Sequence, residues 1–152
     1  MNMHKSFTLR SCLLLAALCC APFAAQAHGD ACPKPFQATG SLAFPAGYSG
    51  VTAQFTVPAG YRLQIEQISA GFRLPAATDT ADFQVGTSVG GVFAWHDLQV
   101  ATGYSNLDRK TFGMVTLYAD KNTDVRLSIA RITASYPATT ARWAVTGCLY
   151  VA

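Results

Sequence analysis

The sequence predicts an all-β protein, a single β-sandwich with jelly-roll-like winding that is closed by one disulfide. Apolar and polar residues alternate with a period of two in about seven to nine short runs, the pattern of strands with one buried face. Proline, glycine, aspartate and asparagine separate the runs, and no segment after residue 27 keeps a helical period. A closed β-barrel suits the same pattern and is the alternative.

Residues 1–27 have the three parts of a cleavable export signal. Lys5 and Arg10 give a positive start, and the apolar run that follows is too short to cross a membrane stably. Ala25-Gln26-Ala27 matches the small-x-small pattern of a cleavage site, which fits a signal peptide better than a membrane anchor. We therefore expect a mature domain of residues 28–152, periplasmic or extracellular, without a transmembrane segment.

The charge of the mature domain is nearly balanced. The whole chain carries 11 basic and 8 acidic residues, a formal net charge of +3. Removal of Lys5 and Arg10 leaves nine basic residues against the same eight acidic ones. A surface so evenly mixed gives no reason to expect a nucleic acid or an anionic membrane as partner.

Two cysteines remain after the signal is removed. Cys12, Cys19 and Cys20 belong to the signal, which leaves Cys32 and Cys148 as one intramolecular pair. In an oxidising exported compartment such a pair forms a disulfide by default. A metal-binding or catalytic thiol pair is the alternative, but no third soft ligand lies nearby in sequence. We expect a disulfide that joins the start of the domain to its last strand.

The first part of the domain, residues 28–50, is rich in proline, glycine and alanine and predicts an extended arm with at most one short strand. Pro45-Ala46-Gly47-Tyr48 recurs as Pro58-Ala59-Gly60-Tyr61. Because proline and glycine favour the successive positions of a β-turn, we expect two turns that flank a strand over residues 51–57.

The strongest strand pattern covers Tyr61–Leu74, and its apolar phase slips once. Tyr61, Leu63 and Ile65 alternate with polar residues, whereas the next alternating set starts at Ile68. A slip of one residue turns every later side chain to the other face. Either a β-bulge near Glu66-Gln67 or a strand that crosses from one sheet to another would account for it.

The last strands flank a segment with turn composition. Residues 114–118 and 125–132 lie on either side of Asp120–Asp124, which predicts a hairpin. The final strand runs over residues 142–151. Cys148 falls on the opposite face from the apolar residues of that strand, so the disulfide should lie across its back.

Two motifs match the patterns of known sites but lack their context. Gly86–Gly90 spells G-x-S-x-G around Ser88, yet a nucleophile elbow needs a strand-to-helix turn, so we expect a flexible glycine-rich loop. Asp120–Asp124 opens like a calcium-binding EF-hand loop, but Val125 and Arg131 occupy the positions where that loop needs glycine and glutamate. A calcium site of another kind on this turn remains an alternative to a plain turn.

Two short stretches resemble known exported proteins. Phe55–Glu66 resembles a stretch of small exported proteobacterial β-proteins of unassigned function, which implies no activity. The mature start His28-Gly29 resembles that of bacterial lytic polysaccharide monooxygenases, and exported copper carriers also begin with histidine; both are β-sandwiches. The resemblance implies a copper site made by the α-amine and imidazole of His28, with His96 as the other histidine of the mature domain.

Aromatic and polar residues predict a ligand site near the middle of the chain. Trp95 and Tyr104 lie in a loop-like segment that also carries Asn106 and Asp108, so an apolar face lies beside hydrogen-bonding groups. Few titratable groups are available for acid–base chemistry, which favours binding over catalysis. We predict an exported, non-enzymatic module that binds a ligand or a protein partner, with carbohydrate as one candidate. The alternatives are copper binding and a structural or assembly role.

Overall fold

The structure, a computed structural model, describes residues 32–133 and 135–152, which form nine strands. Cys32–Ala152 is one compact unit. Among the described residues, no helix is long and apolar enough to cross a membrane. The strands are β1 (Pro35–Phe44), β2 (Gly50–Thr56), β3 (Tyr61–Arg73), β4 (Thr80–Val89), β5 (Val92–Leu98), β6 (Ala101–Thr102), β7 (Asp108–Ala119), β8 (Asp124–Ile132) and β9 (Thr139–Val151).

The strands form two antiparallel sheets. We name the five-stranded sheet, in the order β1-β9-β3-β7-β6, sheet A, and the four-stranded sheet, in the order β2-β8-β4-β5, sheet B. Long-range pairs are nested: β1 pairs with β9, β2 with β8, and β3 with β7. Neither sheet closes on itself, so the β-sandwich is confirmed in place of the closed barrel. The jelly-roll-like winding stays a prediction.

The core lies between the sheets in two clusters of buried side chains, and Leu42, Leu98 and Trp143 pack against both. Burial of one such aliphatic or aromatic side chain contributes about 1.5–3 kcal/mol. The first cluster contains Ala53, Val57, Leu63, Ile65, Ile68, Val85, Ala119, Val125, Leu127, Val145 and Leu149. The second contains Phe44, Ala70, Phe72, Leu74, Phe83, Ile129 and Ala141.

A β-bulge at Glu66 explains the phase slip of β3. The register of β3 shifts between Ile65 and Gln67 against both neighbouring strands. On β9, the adjacent residues Gly147 and Thr146 pair with Ile65 and Gln67, so Glu66 is the extra residue. Ile65 and Ile68 are both fully buried, and the two apolar sets of this strand therefore face the same core.

The N-terminal part of the domain is more regular than its composition predicts. Instead of an arm, β1 is a ten-residue strand that pairs with β9 along its whole length. Two β-turns flank β2 as predicted, with Tyr48 N bonded to Pro45 O and Tyr61 N to Pro58 O. Gly47 (φ 87°) and Gly60 (φ 80°) occupy the turn position that requires positive φ.

The predicted hairpin over residues 114–132 is wrong, because β7 belongs to sheet A and β8 to sheet B. The segment between them crosses from one sheet to the other. Asp120 N donates a hydrogen bond to Ser88 O at 2.9 Å, and Asn122 N donates one to Val57 O at 3.1 Å. Neither bond belongs to a hairpin between β7 and β8. Polar turn residues suit a connection between sheets as well as a hairpin, so composition alone does not distinguish the two.

The carboxylate of Asp120 fastens one end of the sandwich. It accepts hydrogen bonds from Gly90 N at 2.6 Å and from Arg62, with which it forms an ion pair at 2.8 Å. The Gly90 amide, followed by the Arg62 side chain, lowers the pKa of Asp120 below its ordinary value of 3.8. The turn between β4 and β5 is thereby joined to β3 and to the end of β7.

The predicted disulfide is confirmed. Cys32 and Cys148 are bonded, with their Cα atoms 5.6 Å apart and a sequence separation of 116. Cys148 follows the core-facing Gly147 of β9, so the bridge lies on the outer face of sheet A. Leu149 N also bonds to Lys34 O at 2.9 Å. The disulfide is compatible with an oxidising, exported environment.

We expect reduction of this disulfide to destabilise the domain. A cross-link that closes so long a loop contributes about 4–5 kcal/mol in the chain-entropy account. Chemical denaturation of residues 28–152, with and without reductant, measures the difference, and thiol counting confirms the reduced state. Equal unfolding free energies in the two states would contradict a stabilising bridge.

Gly147→Ala should destabilise the fold. A Cβ at this position would overlap the backbone carbonyl oxygen of Gln64, next to the bulge. Because the obstacle is backbone rather than a flexible side chain, we expect a loss of about 1–3 kcal/mol or more in unfolding free energy. Gly50→Ala is the matched control, since its nearest contact would be an ordinary 3.6 Å. Similar losses in the two variants would argue against the close approach at Gly147.

Acid should weaken the contribution of Asp120. A carboxyl group whose pKa is lowered on folding stabilises the fold above its unfolded pKa and ceases to do so as pH falls through the folded value. Asp120→Asn should therefore be less stable than the parent near neutral pH, and the difference should shrink below about pH 3.8. Denaturant unfolding across pH measures it. A difference that stays constant into acid would contradict this role.

Candidate ligand-binding site

A groove of about 720 Å³ crosses the outer face of sheet A over β9, β3 and β7. The outer-face residues that line its floor, Ser69, Gly71 and Ala144, are small. Ser69 and Gly71 face outward because the bulge at Glu66 turns Ile68 and Ala70 toward the core. The irregularity that completes the core thus also forms the floor of the groove.

The walls of the groove follow from the pairing register. Gly71 lies between Arg142 on β9 and Lys110 on β7, and the next row places Ser69 opposite Phe112. A Cβ on Gly71 would lie 3.1 Å from Lys110 Cγ and 3.3 Å from the Arg109 carbonyl oxygen. The absence of a side chain there leaves the floor open between two cationic side chains.

The groove combines an apolar wall with free positive charge. Phe112 is 70% exposed on the outer face. Within residues 32–133 and 135–152, the one ion pair joins Arg62 to Asp120, so neither Lys110 nor Arg142 has a carboxylate within salt-bridge distance in that part of the chain. The arrangement can receive a ligand with one apolar face and one anionic group.

One of the four predicted ligand residues, Asp108, lines this groove, and two others lie on the loop before β7. The Asp108 carboxylate accepts a hydrogen bond from Ser105 N at 3.1 Å. Tyr104, which is fully exposed, and Asn106 lie on the loop that leads into β7. Arg109 holds that loop in place, because its Nη1 donates to Asn106 O at 2.8 Å.

Trp95, the fourth predicted residue, lies on the other sheet. Its segment is not a loop but β5, where Trp95 is 44% exposed on the outer face of sheet B. The Phe93 ring meets the Trp95 ring edge-on at 5.2 Å, and both rings cover Gly86, whose Cβ would collide with Phe93. The four predicted residues are therefore divided between two sheets.

His96 lies on the inner side of sheet B. It pairs with the buried Val85, and its Nε2 is 3.4 Å from Thr87 Oγ1. Within residues 32–133 and 135–152, no three histidine, cysteine, aspartate or glutamate side chains are grouped as a metal site requires. His28 falls outside the described residues, so the copper site of His28 and His96 stays a prediction.

The two motifs of the sequence have other structural roles. Ser88 lies in β4, which continues into the hairpin turn at Gly90 and Gly91, so the predicted flexible loop is wrong and no strand-to-helix elbow forms. At the other motif, Asp124 accepts a hydrogen bond from the Thr56 hydroxyl at 2.7 Å. Asp120 is bonded to Gly90 and Arg62.

Sequence analysis missed the residues that line most of the groove. Phe112, Lys110 and Arg142 appear in sequence as ordinary residues on the polar faces of strands. A phenylalanine directly after the polar run Asp108–Thr111 is the one local signal that could have indicated the site. Their approach to Ser69 and Gly71 depends on the pairing of strands that are distant in sequence.

Comparisons with known proteins give only a distant structural likeness. No known protein family matches the chain, and no curated protein matches it. The fold is similar to part of dimeric latent PorU from Porphyromonas gingivalis, with a TM-score of 0.44 and 12% sequence identity. The match covers 82% of this chain, which spans only 14% of that chain. At this level of similarity, the match carries no information about function.

Proposed function

We propose that residues 28–152 form an exported, non-catalytic module that binds a carbohydrate bearing an anionic group. The observation that carries this proposal is the groove on sheet A. There Lys110 and Arg142 flank Gly71, and the exposed Phe112 lies in the next row of paired residues, opposite Ser69. The disulfide and the predicted signal peptide support a place outside the cytoplasm.

The chemistry of an acidic sugar fits the groove. The C–H face of a sugar ring packs on an aromatic side chain, for which Phe112 is accessible. A carboxylate or sulfate group on the same ring would receive charge-assisted hydrogen bonds from Lys110 and Arg142. The Ser69 hydroxyl and the Asp108 carboxylate can bond to sugar hydroxyl groups.

Binding without hydrolysis agrees with the carboxylates of the groove. Glycoside hydrolysis ordinarily uses two carboxyl groups about 5–9.5 Å apart, one on either side of the scissile bond. Asp108 is the one carboxylate among the described residues that line this groove. A single carboxylate suits a hydrogen-bonding role.

A glycan array and calorimetry of residues 28–152 test the proposal. We expect binding to acidic glycans, with affinity that falls as salt rises. Arg142→Ala and Lys110→Ala should each weaken binding about tenfold or more, because a hydrogen bond to a charged group contributes about 1.5–3 kcal/mol. Arg126→Ala, at an exposed arginine of sheet B, is the matched control and should bind like the parent.

Two outcomes would overturn the proposal. One is the absence of binding to any acidic glycan by a folded, disulfide-bonded protein. The other is affinity that survives Arg142→Ala but is lost in Trp95→Ala, which would place the sugar on sheet B instead.

A further inference from the structure

We propose that the protein binds an extended segment of another protein, which adds one strand to sheet A beside Phe112–Ala119 of β7 and over β5. We call this place the open strand position. The segment carries apolar side chains at alternate positions. The open strand position borders the groove but takes a different ligand, so the inference goes beyond the proposed carbohydrate binding and does not depend on it.

The second half of β7 is an open edge. Within residues 32–133 and 135–152, β6 is the neighbour of β7 on this side, and it pairs only with Arg109 and Lys110. Phe112–Ala119 contains neither proline nor a charged residue, with which proteins commonly protect an edge against pairing. On its outer face, Phe112 is 70% exposed and Met114 is 66% exposed. An edge of this composition is a template for a further strand.

The place beside β7 lies over β5. At the other side of the sandwich, β1 meets β2, and the rings of Phe36 and Phe55 are 5.4 Å apart. Across the core, β7 packs against β4, and Asp120 N, just after β7, donates a hydrogen bond to Ser88 O of β4. Since β5 follows β4 in sheet B, it lies under the next strand position of sheet A. The position of β6 agrees with this alignment, because only two residues join β5 to β6.

The interior face of β5 is exposed beneath the open strand position. Val92 and Ala94 pair with Val89 and with the buried Thr87, so their side chains are on the face of β5 that is turned to the core. Val92 is nevertheless 70% exposed, and Ala94 is exposed too, because β6 reaches no farther along β7 than Lys110. Apolar side chains placed over them would remove this surface from water, which contributes about 25 cal/mol per Å².

These surroundings define the chemistry of the segment. Its backbone would bond to the free N–H and C=O groups of β7, which recur at every second residue of an edge strand. Because successive side chains of a strand point to opposite faces, every second residue of the segment lies over Val92 and Ala94 and must be apolar. A charged residue there would lose its water over an apolar surface. The intervening residues continue the outer face beside Phe112 and can be polar.

A single strand fits this place, whereas a second copy of the domain does not. If two copies paired through β7, the second copy's β4, which packs against its own β7, would need the place that β5 of the first copy fills. The predicted mature domain has only residues 28–31 before Cys32, and Cys32 is bonded to β9, which β3 separates from β7. These residues are too few to pair with Phe112–Ala119. The segment therefore comes from another protein.

Calorimetry of residues 28–152 with an eight-residue peptide of alternating valine and threonine tests the proposal. We expect it to bind about tenfold or more tightly than a peptide of the same composition with all valines in one block, since only the first places every valine on one face. Val92→Lys should weaken binding about tenfold or more, because it puts a charge beneath the added strand. Val151→Lys is the matched control: this valine is 86% exposed at the end of β9, and the variant should bind like the parent.

Amide hydrogen exchange locates the added strand and shows that the variants fold. We expect the alternating peptide to slow exchange at every second amide between Phe112 and Tyr118 and to leave the amides of β2, another edge strand, unchanged. No binding by the folded protein, equal binding of the block peptide, or equal binding by Val92→Lys would overturn the proposal. So would protection on β5 or β2 in place of β7. A dimeric parent whose β7 edge is already protected would contradict it too, because a second copy would then occupy that edge.

Discussion

One backbone irregularity, the bulge at Glu66, determines both sides of sheet A. Without it, strict alternation would turn Ile68 and Phe72 outward and Ser69 into the core. With it, β3 remains apolar toward the interior over its whole length, and small residues form the floor of the groove on the opposite face. The core and the candidate site are thus two consequences of a single extra residue.

The bulge imposes a requirement on the neighbouring strand. Gly147 of β9 lies so close to the Gln64 carbonyl that no side chain fits there. The next residue, Cys148, is bonded to Cys32. β9 is therefore constrained at two adjacent residues: Gly147 is in close contact with the backbone of β3, and Cys148 is covalently bonded to Cys32. Because β9 also contributes Arg142 and Ala144, the same constraints position one wall of the groove.

Local patterns predicted the elements better than their arrangement. Period-two alternation found β3 and β9, and the phase slip located the bulge, because both features are expressed in neighbouring residues. Turn composition failed at Asp120, where the chain changes sheets rather than reversing within one. The groove was not predictable, because Ser69 and Phe112 meet only through register. Nor was the burial of Arg131, which is 1% exposed and whose guanidinium donates hydrogen bonds to backbone carbonyl groups, including that of Pro137.

Two single-residue deletions in β3 test the central claim most directly. Deletion of Glu66 removes the extra residue and leaves both apolar sets facing inward. Deletion of Ser69 must either turn Phe72 outward or bury Gln67 in place of Ile68. Denaturant unfolding should show the second deletion to be less stable than the first by at least about 2 kcal/mol. Equal stabilities, or a more stable Ser69 deletion, would contradict the account.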